Sequence, residues 1–382
     1  MNLYFFQSTP YDFFAFTFLV ILLLVQLRYY LFVFGRVSFC RTTPKLNIPK
    51  ESWEPVSVII CARNEEQNLA EFLPAILEQD YPDYEVIVVN DCSTDDSDMV
   101  LRRLGTQYKH LKVTAIRTDP NFLHGKKLAL TVGIKAASNN RLLLTDADCK
   151  PESKEWIKQM AENFSDEQTI VLGYGGYIQG KGMLNRFIRF DAFYVALQYL
   201  GFAMEKKPYM GVGRNLSYTK ELYFNNRGFA SHSHIPSGDD DLFIQQVATK
   251  RNTVVELRHS AHTRSKACGT YKEWVNQKRR HLTTSPLYKG TVKFRLALEP
   301  FSRILFWVLG LYLLLTNFYP LVVGAILVFR LIVVQVILKF AMNRLNERKI
   351  FIFSLIYDLF SPLLYALFML ANGLTLNRQK WK

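Results

Sequence analysis

Two aspartates, Asp146 and Asp148, stand one residue apart at the end of the largely apolar segment 141–145. This segment is typical of a buried strand, and alternate side chains of an extended chain point to the same side. Hard divalent cations prefer oxygen ligands, and Mg²⁺ is usually held by one or two carboxylates together with substrate phosphates. The pair therefore indicates a cation site, although an Asp-X-Asp segment taken alone is at least as often a solvated loop.

The acidic run Asp239-Asp240-Asp241 is a second candidate for chemistry. Adjacent carboxylates raise one another's proton affinity, and this property suits a general base. A calcium site and a solvated turn are the alternatives. Lys126 offers a point charge that would suit a phosphate, and a solvated lysine at the start of a helix is its alternative.

The segments around these residues alternate between strand and helix patterns. Strands are predicted at 56–60, 85–89, 112–116 and 141–145, and helices at 64–79, after Ser93 or Thr94, and at 126–137. This order predicts an α/β fold with a parallel sheet that is covered on both faces. Ligands of such sheets bind at the carboxyl ends of the strands, where we expect Asn64, Asp91 and Asp146. Asn64 is also the predicted N-cap of the first of these helices.

Composition narrows the class of partner. The 382 residues carry a formal net charge of +14 and 14% aromatic residues, and the apolar residues are concentrated at the two ends. This distribution favours a membrane. No basic stretch is interleaved with aromatics outside the membrane-proximal helices, so we predict no nucleic-acid partner. Five cysteines without close pairing indicate a reducing compartment and argue against a disulfide framework.

The N-terminal apolar segment 13–27, continued by 31–34, reaches the length of a membrane span. Basic residues follow it up to Lys50, which places its C-terminal side in the cytoplasm. A cleaved signal peptide is the alternative, but the segment lacks a positively charged start and a small-residue cleavage site.

The C-terminal end holds apolar segments at 304–315, 321–338 and 350–370, and the basic loop 339–349 should be cytoplasmic. Four simple spans would place the basic tail outside, whereas a re-entrant hairpin broken at Pro362 would keep it inside. Ionisable residues inside a membrane call for a functional explanation. Arg330 would bind a lipid phosphate, pair with Asp358 or extend to the headgroups, and these three alternatives stay open.

Two internal segments, 183–204 and 271–282, are amphipathic. Such helices can lie in the plane of the headgroups, and packing against the core of the globular domain is the alternative. The chain therefore divides into three predicted regions. These are an N-terminal span with a basic linker at 1–50, a cytoplasmic domain with interfacial helices at 51–299, and a C-terminal membrane region at 300–382.

Five motifs in order resemble the membrane-embedded glycosyltransferases of family 2, which include cellulose, chitin and hyaluronan synthases and ceramide and polyprenyl-phosphate glycosyltransferases. The motifs are 58–65, 89–95, Gly125-Lys126 with Ala129-Leu130, 146–148, and 238–242 followed by 277–281, and the likeness covers most of residues 53–285. The resemblance implies a Rossmann-like nucleotide-diphospho-sugar transferase fold of the GT-A type with a mixed sheet. It also implies inverting single displacement at the anomeric carbon of a sugar.

The resemblance assigns residues to the donor. Those that would contact a nucleotide sugar are Ala62, Arg63, Asn64, Glu65, Asp91, Lys126, Asp146 and Arg280. Asp148 would ligate Mg²⁺ or Mn²⁺, and Asp146 would support the metal or the ribose. Judged by residue type alone, the 62–65 turn is also a plain helix N-terminus, and Asp91 also caps the turn at Ser93. Because Asp91 could accept from a uracil imide N–H, we prefer UDP to GDP.

The catalytic base would come from the acidic run. Alignment on Leu242 makes Asp239 the base, which we prefer slightly, whereas matching Gly-Asp-Asp directly makes it Asp240. A carboxylate in this position takes the proton from the acceptor hydroxyl.

Gln277 and Arg280 match the Gln-X-X-Arg-Trp signature of the family, in which the arginine meets the diphosphate. A basic helix face that meets anionic lipid is the alternative for Arg280. His281 replaces the tryptophan, so the flat surface at the acceptor end is reduced. Gly213 and Asn215 lie in a segment that resembles the acceptor-side loop of the family, or that forms only a turn.

We therefore predict metal-dependent, inverting transfer of a hexosyl residue from a UDP-sugar to a membrane-associated acceptor, a lipid hydroxyl or lipid phosphate. The catalytic domain would face the cytoplasm, at the bacterial inner membrane. A processive polysaccharide synthase that extends a growing glycan is one alternative. A nucleotide-binding membrane scaffold or transporter without transferase activity is another. The C-terminal segments carry few polar residues for a polysaccharide channel, which favours the lipid acceptor.

Overall fold

The computed structural model describes residues 9–40, 53–117, 125–235 and 237–374. The strands in this part of the chain are β1 Val56–Ala62, β2 Tyr84–Asp91, β3 Leu111–Ile116, β4 Arg141–Asp146, β5 Cys149–Pro151, β6 Ile170–Leu172, β7 Gly175–Tyr177, β8 Leu216–Thr219, β9 Thr253–Val255 and β10 Thr263–Ser265. The α-helices are α1 Pro10–Tyr29, α2 Gly35–Phe39, α3 Glu66–Leu77, α4 Ser97–Gln107, α5 Lys126–Ala136, α6 Trp156–Ala161, α7 Met183–Met204, α8 Lys220–Asn225, α9 Asp241–Val247, α10 Tyr271–Leu282, α11 Gly290–Leu315, α12 Pro320–Arg344 and α13 Ile352–Leu374.

The main sheet has the strand order β3-β2-β1-β4-β8-β6-β9. Its first four strands are parallel, while β8 runs antiparallel to both β4 and β6. The predicted α/β fold with a mixed sheet is therefore confirmed. The register pairs Cys61 with Asp146 and Ala62 with Asn90, so the carboxyl ends of β1, β2 and β4 lie level. A smaller sheet of order β5-β10-β7 begins directly after the Asp146–Asp148 turn.

The apolar strands fill two cores on opposite faces of the sheet. In β1, Ile59 and Cys61 belong to the core beneath α5, whereas Val58 and Ile60 belong to the core beneath α3. This double burial is typical of parallel strands and explains why their sequences are continuously apolar. Helix α5 approaches the sheet closely at Gly133, where a Cβ atom would stand 2.7 Å from Ile59 Cγ2.

The predicted N-cap of the first helix is wrong. Asn64 has φ 56°, a left-handed conformation that asparagine tolerates better than most residues, and α3 begins two residues later at Glu66. The N–H of Glu66 is satisfied instead by Asp95 Oδ2 at 3.0 Å. The next helix begins at Ser97, later than predicted, because the preceding residues bond across to the turn after β1.

Both predicted amphipathic segments are helices with the predicted bounds, but they pack differently. Helix α7 lies in the core of the globular domain, where Phe190, Phe193 and Leu197 are fully buried. The core-packing alternative therefore holds for α7. Only Trp274 of α10 is buried, and its ring packs against Phe368 of α13 at a centroid distance of 5.6 Å.

Among the residues that the structure describes, three helices are long and apolar enough to cross a membrane. The first is continuous over Pro10–Phe39 and includes a π-helical turn at Tyr30–Phe34. The second is α11, which begins at Gly290 and is therefore much longer than the predicted segment 304–315. The third is α12, which follows a tight turn where Tyr319 has φ 38°. Helix α13 contributes a shorter apolar stretch, Ile352–Phe368.

A buried polar cluster joins these apolar helices. Arg330 is 0% exposed and forms a two-point ion pair with Asp358, with Nη2 to Oδ1 at 2.8 Å. Its Nη2 also donates to Gln26 Oε1 at 2.7 Å, which ties α12 to α1. Of the three alternatives for Arg330, the structure favours pairing with Asp358. Arg303 forms an ion pair with Glu299 and lies 3.6 Å from Asp358, so the cluster is balanced in charge.

Candidate active site

Lys126, the first residue of α5, lies between the two acidic groups that the sequence singled out. Its Nζ is 2.8 Å from Asp146 Oδ1 and 3.1 Å from Asp239 Oδ2. The close docking of α5 at Gly133 fixes where this lysine emerges, at the carboxyl ends of β1 and β4. One ammonium group therefore joins the end of β4 to the loop that precedes α9.

These side chains line one small cleft. Its lining residues are Cys61, Lys126, Leu130, Leu144, Thr145, Asp146, Gly213, Leu216, Asp239 and Asp240. Asp239 and Asp240 of the acidic run thus share a common space with Asp146.

The turn after β4 fits a hard divalent cation. One ligand atom each of Asp146, Asp148 and Cys149 lies within 4.8 Å of the others. Asp148 Oδ2 accepts from Ser265 Oγ at 3.0 Å, which orients that carboxylate. Burial and the neighbouring charge of Asp146 raise the pKa of Asp148. Burial also raises the pKa of the Cys149 thiol, so the carboxylates are the ligands suited to Mg²⁺ or Mn²⁺.

Positive charges surround Asp146. Burial opposes its ionisation, but the charges of Lys126, Arg214 and Arg280 outweigh burial and hold the pKa of Asp146 below its usual range. Of these three cations, Lys126 lines the cleft itself.

Arg214 is not among the site residues that the sequence predicts, although it lies between Gly213 and Asn215 in the predicted acceptor-side segment. Its guanidinium lies 4.4 Å from the centre of the Tyr177 ring, and Nη1 reaches Gly176 O at 3.4 Å. Its backbone carbonyl accepts from Thr145 Oγ1 at 3.0 Å and from Thr263 Oγ1 at 2.9 Å. The backbone is therefore fixed between β4 and β10. The sequence feature that could have indicated Arg214 is its place directly after Gly213 in a glycine-containing loop.

The three aspartates of the acidic run have different partners. Asp239 contacts Lys126, whereas Asp240 accepts from Gly213 N at 2.9 Å and from Asp241 N at 2.8 Å. Burial, together with the charges of Asp239 and Asp241, raises the pKa of Asp240 to about 7. Asp241 is turned toward Tyr288, whose hydroxyl donates to it at 2.7 Å. Only the first two aspartates therefore face the cleft.

The predicted acceptor-side residues occupy three different settings. Gly213 lines the cleft, and a Cβ there would stand 3.2 Å from Lys126 Nζ. Asn215 is 1% exposed, and its Nδ2 donates to Tyr174 O at 3.0 Å and to Ala261 O at 2.7 Å. Both N–H donors of this amide are therefore used to hold the loop. His281 is exposed in the last turn of α10.

The predicted nucleotide residues gather at the ends of β1 and β2. Asn64 N donates to Ser93 Oγ at 2.9 Å, and Thr94 N donates to Asn64 Oδ1 at 2.8 Å, so the two loops are fastened together. Asp91, the last residue of β2, is 0% exposed. Ala62, Arg63 and Glu65 lie with Asn64 at the turn between β1 and α3. The side chain of Ala62 is buried, so only its backbone can contact a ligand.

Helix α10 carries the remaining predicted residues. The charge of Arg280 acts on Asp146, and Gln277 Oε1 accepts from Tyr177 OH at 3.4 Å. Tyr177 also contacts the Arg214 guanidinium, so α10 is linked through Tyr177 to the loop that contains Gly213. Lys278 on this helix forms an ion pair with Asp191 of α7 and donates to Tyr365 of α13 at 3.2 Å. This contact holds α10 against both neighbours.

Comparison with known proteins shows which family this chain is similar to. The family described as glycosyl transferase family 2 matches residues 57–224. A probable glycosyltransferase of Bacillus subtilis, YdaM, is 30% identical over 179 residues, which are 44% of this chain and 42% of that protein. Glycosyltransferase AglE of Haloferax volcanii is 32% identical over 120 residues, 31% of this chain and 38% of that protein. The chain thus spans less than half the length of these relatives.

A solved structure shares the fold over nearly the whole chain. The mannosyltransferase PcManGT of Pyrobaculum calidifontis, in complex with GDP-Man and Mn²⁺, superposes with a TM-score of 0.56 at 16% identity. The superposition covers 90% of this chain and 98% of that one. At this identity, the likeness establishes the fold alone. The family match and the glycosyltransferase relatives lead to one finding: residues 57–224 of this chain are similar to the glycosyltransferases of family 2.

Proposed function

We propose that this protein transfers a hexosyl residue from a nucleotide diphospho-sugar, with UDP as the preferred nucleotide, to a lipid acceptor at a membrane. The observation that carries the proposal is the position of Lys126, which joins Asp146 to Asp239 within one cleft. A cation-binding carboxylate and a candidate base then face the same small space, as inverting displacement requires.

The donor would lie along the carboxyl ends of β1, β2 and β4. The fastened loops around Asn64 and Asp91 would receive the nucleobase and ribose, with the imide N–H of uracil donating to Asp91. Lys126, Arg214 and Arg280 would contact the diphosphate, since all three place positive charge beside Asp146.

A divalent cation fits the carboxylates of Asp146 and Asp148, and when bound it would stabilise the charge that develops on the departing diphosphate. Burial and the charge of Asp146 raise the pKa of Asp148 and so disfavour its ionised form. A bound cation would supply the positive charge that favours the ionised carboxylate, which supports this assignment. The protein's own cations act on the same leaving group from the other sides.

Asp239 is our candidate for the base. Both oxygens of Asp240 accept backbone N–H groups, so Asp240 holds the loop in place. Asp239 instead faces Asp146 across the ammonium of Lys126. In the proposed step, the acceptor hydroxyl gives its proton to Asp239 as its oxygen bonds to the anomeric carbon. The bond from that carbon to the diphosphate breaks on the opposite side.

The lipid acceptor is supported by the apolar helices around the domain. Within the described residues, three of them have the length and composition of membrane spans, and α10, which carries Arg280, packs against α13. Gly213 and His281 remain our candidates for the acceptor side, and Asn215 would support that side by holding the loop. We keep the predicted orientation, with the catalytic domain in the cytoplasm and the protein in the bacterial inner membrane.

The decisive experiment incubates the purified full chain in detergent with labelled UDP- and GDP-sugars, Mg²⁺ or Mn²⁺, and a total lipid extract. We expect label from a UDP-sugar to enter the organic phase. Label in a high-mass polar product would support a processive synthase and overturn the lipid acceptor. Nucleotide binding without transfer of any label would support a scaffold or transporter and overturn the transferase assignment.

A further inference from the structure

Glu347 lies in the loop between α12 and α13, outside the segment that matches the family, yet it is only 3% exposed. Its carboxylate accepts from three side chains of the catalytic domain. Arg189 Nη2 of α7 lies 2.6 Å from Oε2, Tyr174 OH lies 2.8 Å from Oε1, and Arg264 of β10 donates to Oε1 as well. The loop between two apolar helices is therefore built into the globular domain.

Arg264 also binds the backbone of the same loop. Its Nη2 donates to Leu345 O at 3.1 Å and to Asn346 O at 3.3 Å, while its Nε lies 3.0 Å from Glu152 Oε1. The guanidinium also lies over the Tyr174 ring at 5.3 Å. Residues 345–347 therefore contact β10 in addition to its pairing with β5 and β7.

The residue after Arg264 reaches the cation site. Ser265 Oγ donates to Asp148 Oδ2 at 3.0 Å, and Ser265 is paired in register with Cys149, the neighbour of Asp148. A shift of β10 relative to β5 would therefore change the orientation of the Asp148 carboxylate. Partners that orient a ligating carboxylate typically change metal affinity by roughly 10-fold to 100-fold when they are removed.

Among these contacts, the loss of the negative charge of Glu347 should have the largest effect. Arg189 and Arg264 are both buried, and each directs positive charge at the one carboxylate. Removing one partner of a buried ion pair is strongly destabilising, because it leaves an uncompensated charge. Neutralising Glu347 would remove the carboxylate that Arg189 and Arg264 share, while Arg264 would keep its contact with Glu152. Arg264 would then be held less firmly against residues 345–347.

We propose that Glu347 is a positioning residue for the cation-binding carboxylate Asp148, acting through Arg264 and Ser265. The hairpin between α12 and α13 thereby sets the affinity of the catalytic domain for a divalent cation. This inference rests on the proposed metal-dependent function and adds a residue that lies in the helical region of the chain.

The test measures Mn²⁺ binding to the purified full chain by electron paramagnetic resonance in the presence of UDP, so that it does not depend on turnover. Glu347→Gln keeps the size of the side chain and removes its charge. We expect its Mn²⁺ dissociation constant to rise roughly 3-fold to 10-fold. Glu347→Asp keeps the charge and should recover part of the affinity, and it also serves if the glutamine variant does not fold.

A double-mutant cycle tests the route. Ser265→Ala should weaken Mn²⁺ binding about 10-fold. If Glu347 acts through Ser265, adding Glu347→Gln to Ser265→Ala should cost less than the product of the single effects. If the effects of the two substitutions on the Mn²⁺ dissociation constant multiply fully, Glu347 does not act through Ser265.

Glu256→Gln is the matched control. Glu256 is equally buried and accepts from Arg258 and Asn163 rather than from β10. We expect this control to lower the unfolding temperature while Mn²⁺ affinity stays at the wild-type value. Wild-type affinity in Glu347→Gln would overturn the inference. Failure of the wild-type chain to bind Mn²⁺ would instead overturn the metal dependence in the proposed function.

Discussion

Asp146 and Asp239 share a single ammonium group, that of Lys126, at 2.8 Å and 3.1 Å. One carboxylate ends a central strand and the other precedes a helix late in the domain, so only the folded sheet brings them together. The shared cation keeps two like charges close before any ligand adds its own charge. Most of the testable consequences of the structure follow from this arrangement.

The first prediction concerns the base. Asp239→Asn should lower kcat about 10³-fold, since a positioned base contributes typically 10²-fold to 10⁴-fold. Asp240→Asn should lower it only about 10-fold, because this residue holds the loop through Gly213. Transfer of labelled sugar from the donor, measured at saturation, gives both values. The reverse ranking would assign the base to Asp240.

The second prediction concerns the cation site. Asp148→Asn should weaken Mn²⁺ binding at least about 100-fold and abolish transfer, because it removes a charged ligand from the site. The unfolding temperature should stay the same or rise, since the pKa of the wild-type carboxyl is raised by burial and by Asp146. A large fall in the unfolding temperature would mean that Asp148 is a structural residue.

The third prediction concerns Arg214. Hydrogen bonds to charged groups contribute about 1.5–3 kcal/mol, so Arg214→Gln should weaken UDP binding roughly 10-fold to 100-fold. Arg214→Lys keeps the charge and should lose less. The exposed Arg103 of α4 supplies the control, because Arg103→Gln should leave UDP affinity unchanged. Equal affinities for Arg214→Gln and this control, measured by calorimetry, would remove Arg214 from the diphosphate site.

The elements that carry the site were predictable because their patterns are local. The apolar segment before Asp146 predicts β4, and its end at the first aspartate follows from the change from apolar to acidic residues. The alternation of strands and helices then places Asn64, Asp91 and Asp146 at one edge of the sheet. Each of these inferences uses residues that are close together in the chain.

The contacts between distant segments were not predictable in this way. Nothing near Glu347 in the sequence indicates that it will pair with Arg264, because both residues have ordinary polar neighbours. Asn64 was expected to cap its own helix, but it forms hydrogen bonds with Ser93 and Thr94 of the loop after β2. The sequence likewise gives no sign that the amide of Asn215 donates to the backbone carbonyls of Tyr174 and Ala261.

The fourth prediction concerns the buried cluster among the apolar helices. Asp358→Asn should destabilise the protein by roughly 3–5 kcal/mol, because it leaves the buried charge of Arg330 without its main partner. Replacing both residues, as Arg330→Met with Asp358→Leu, should recover most of that loss, since no buried charge then remains unpaired. Thermal unfolding in detergent measures both variants. An unstable double variant would show that the pair itself supplies the stability.

The last prediction concerns pH. The pKa of Asp240 is raised to about 7 in the folded chain, whereas an unfolded aspartate titrates near about 4. The folded state therefore binds this proton more tightly, and the stability that it contributes below about pH 4 is lost as the pH rises to about 7. Asparagine does not titrate, so Asp240→Asn should gain unfolding temperature relative to the wild type between pH 5 and pH 7. Above pH 7 the difference should level off. An unchanged difference between pH 5 and pH 8 would mean that Asp240 is ionised throughout, with the charge of Lys126 outweighing its burial.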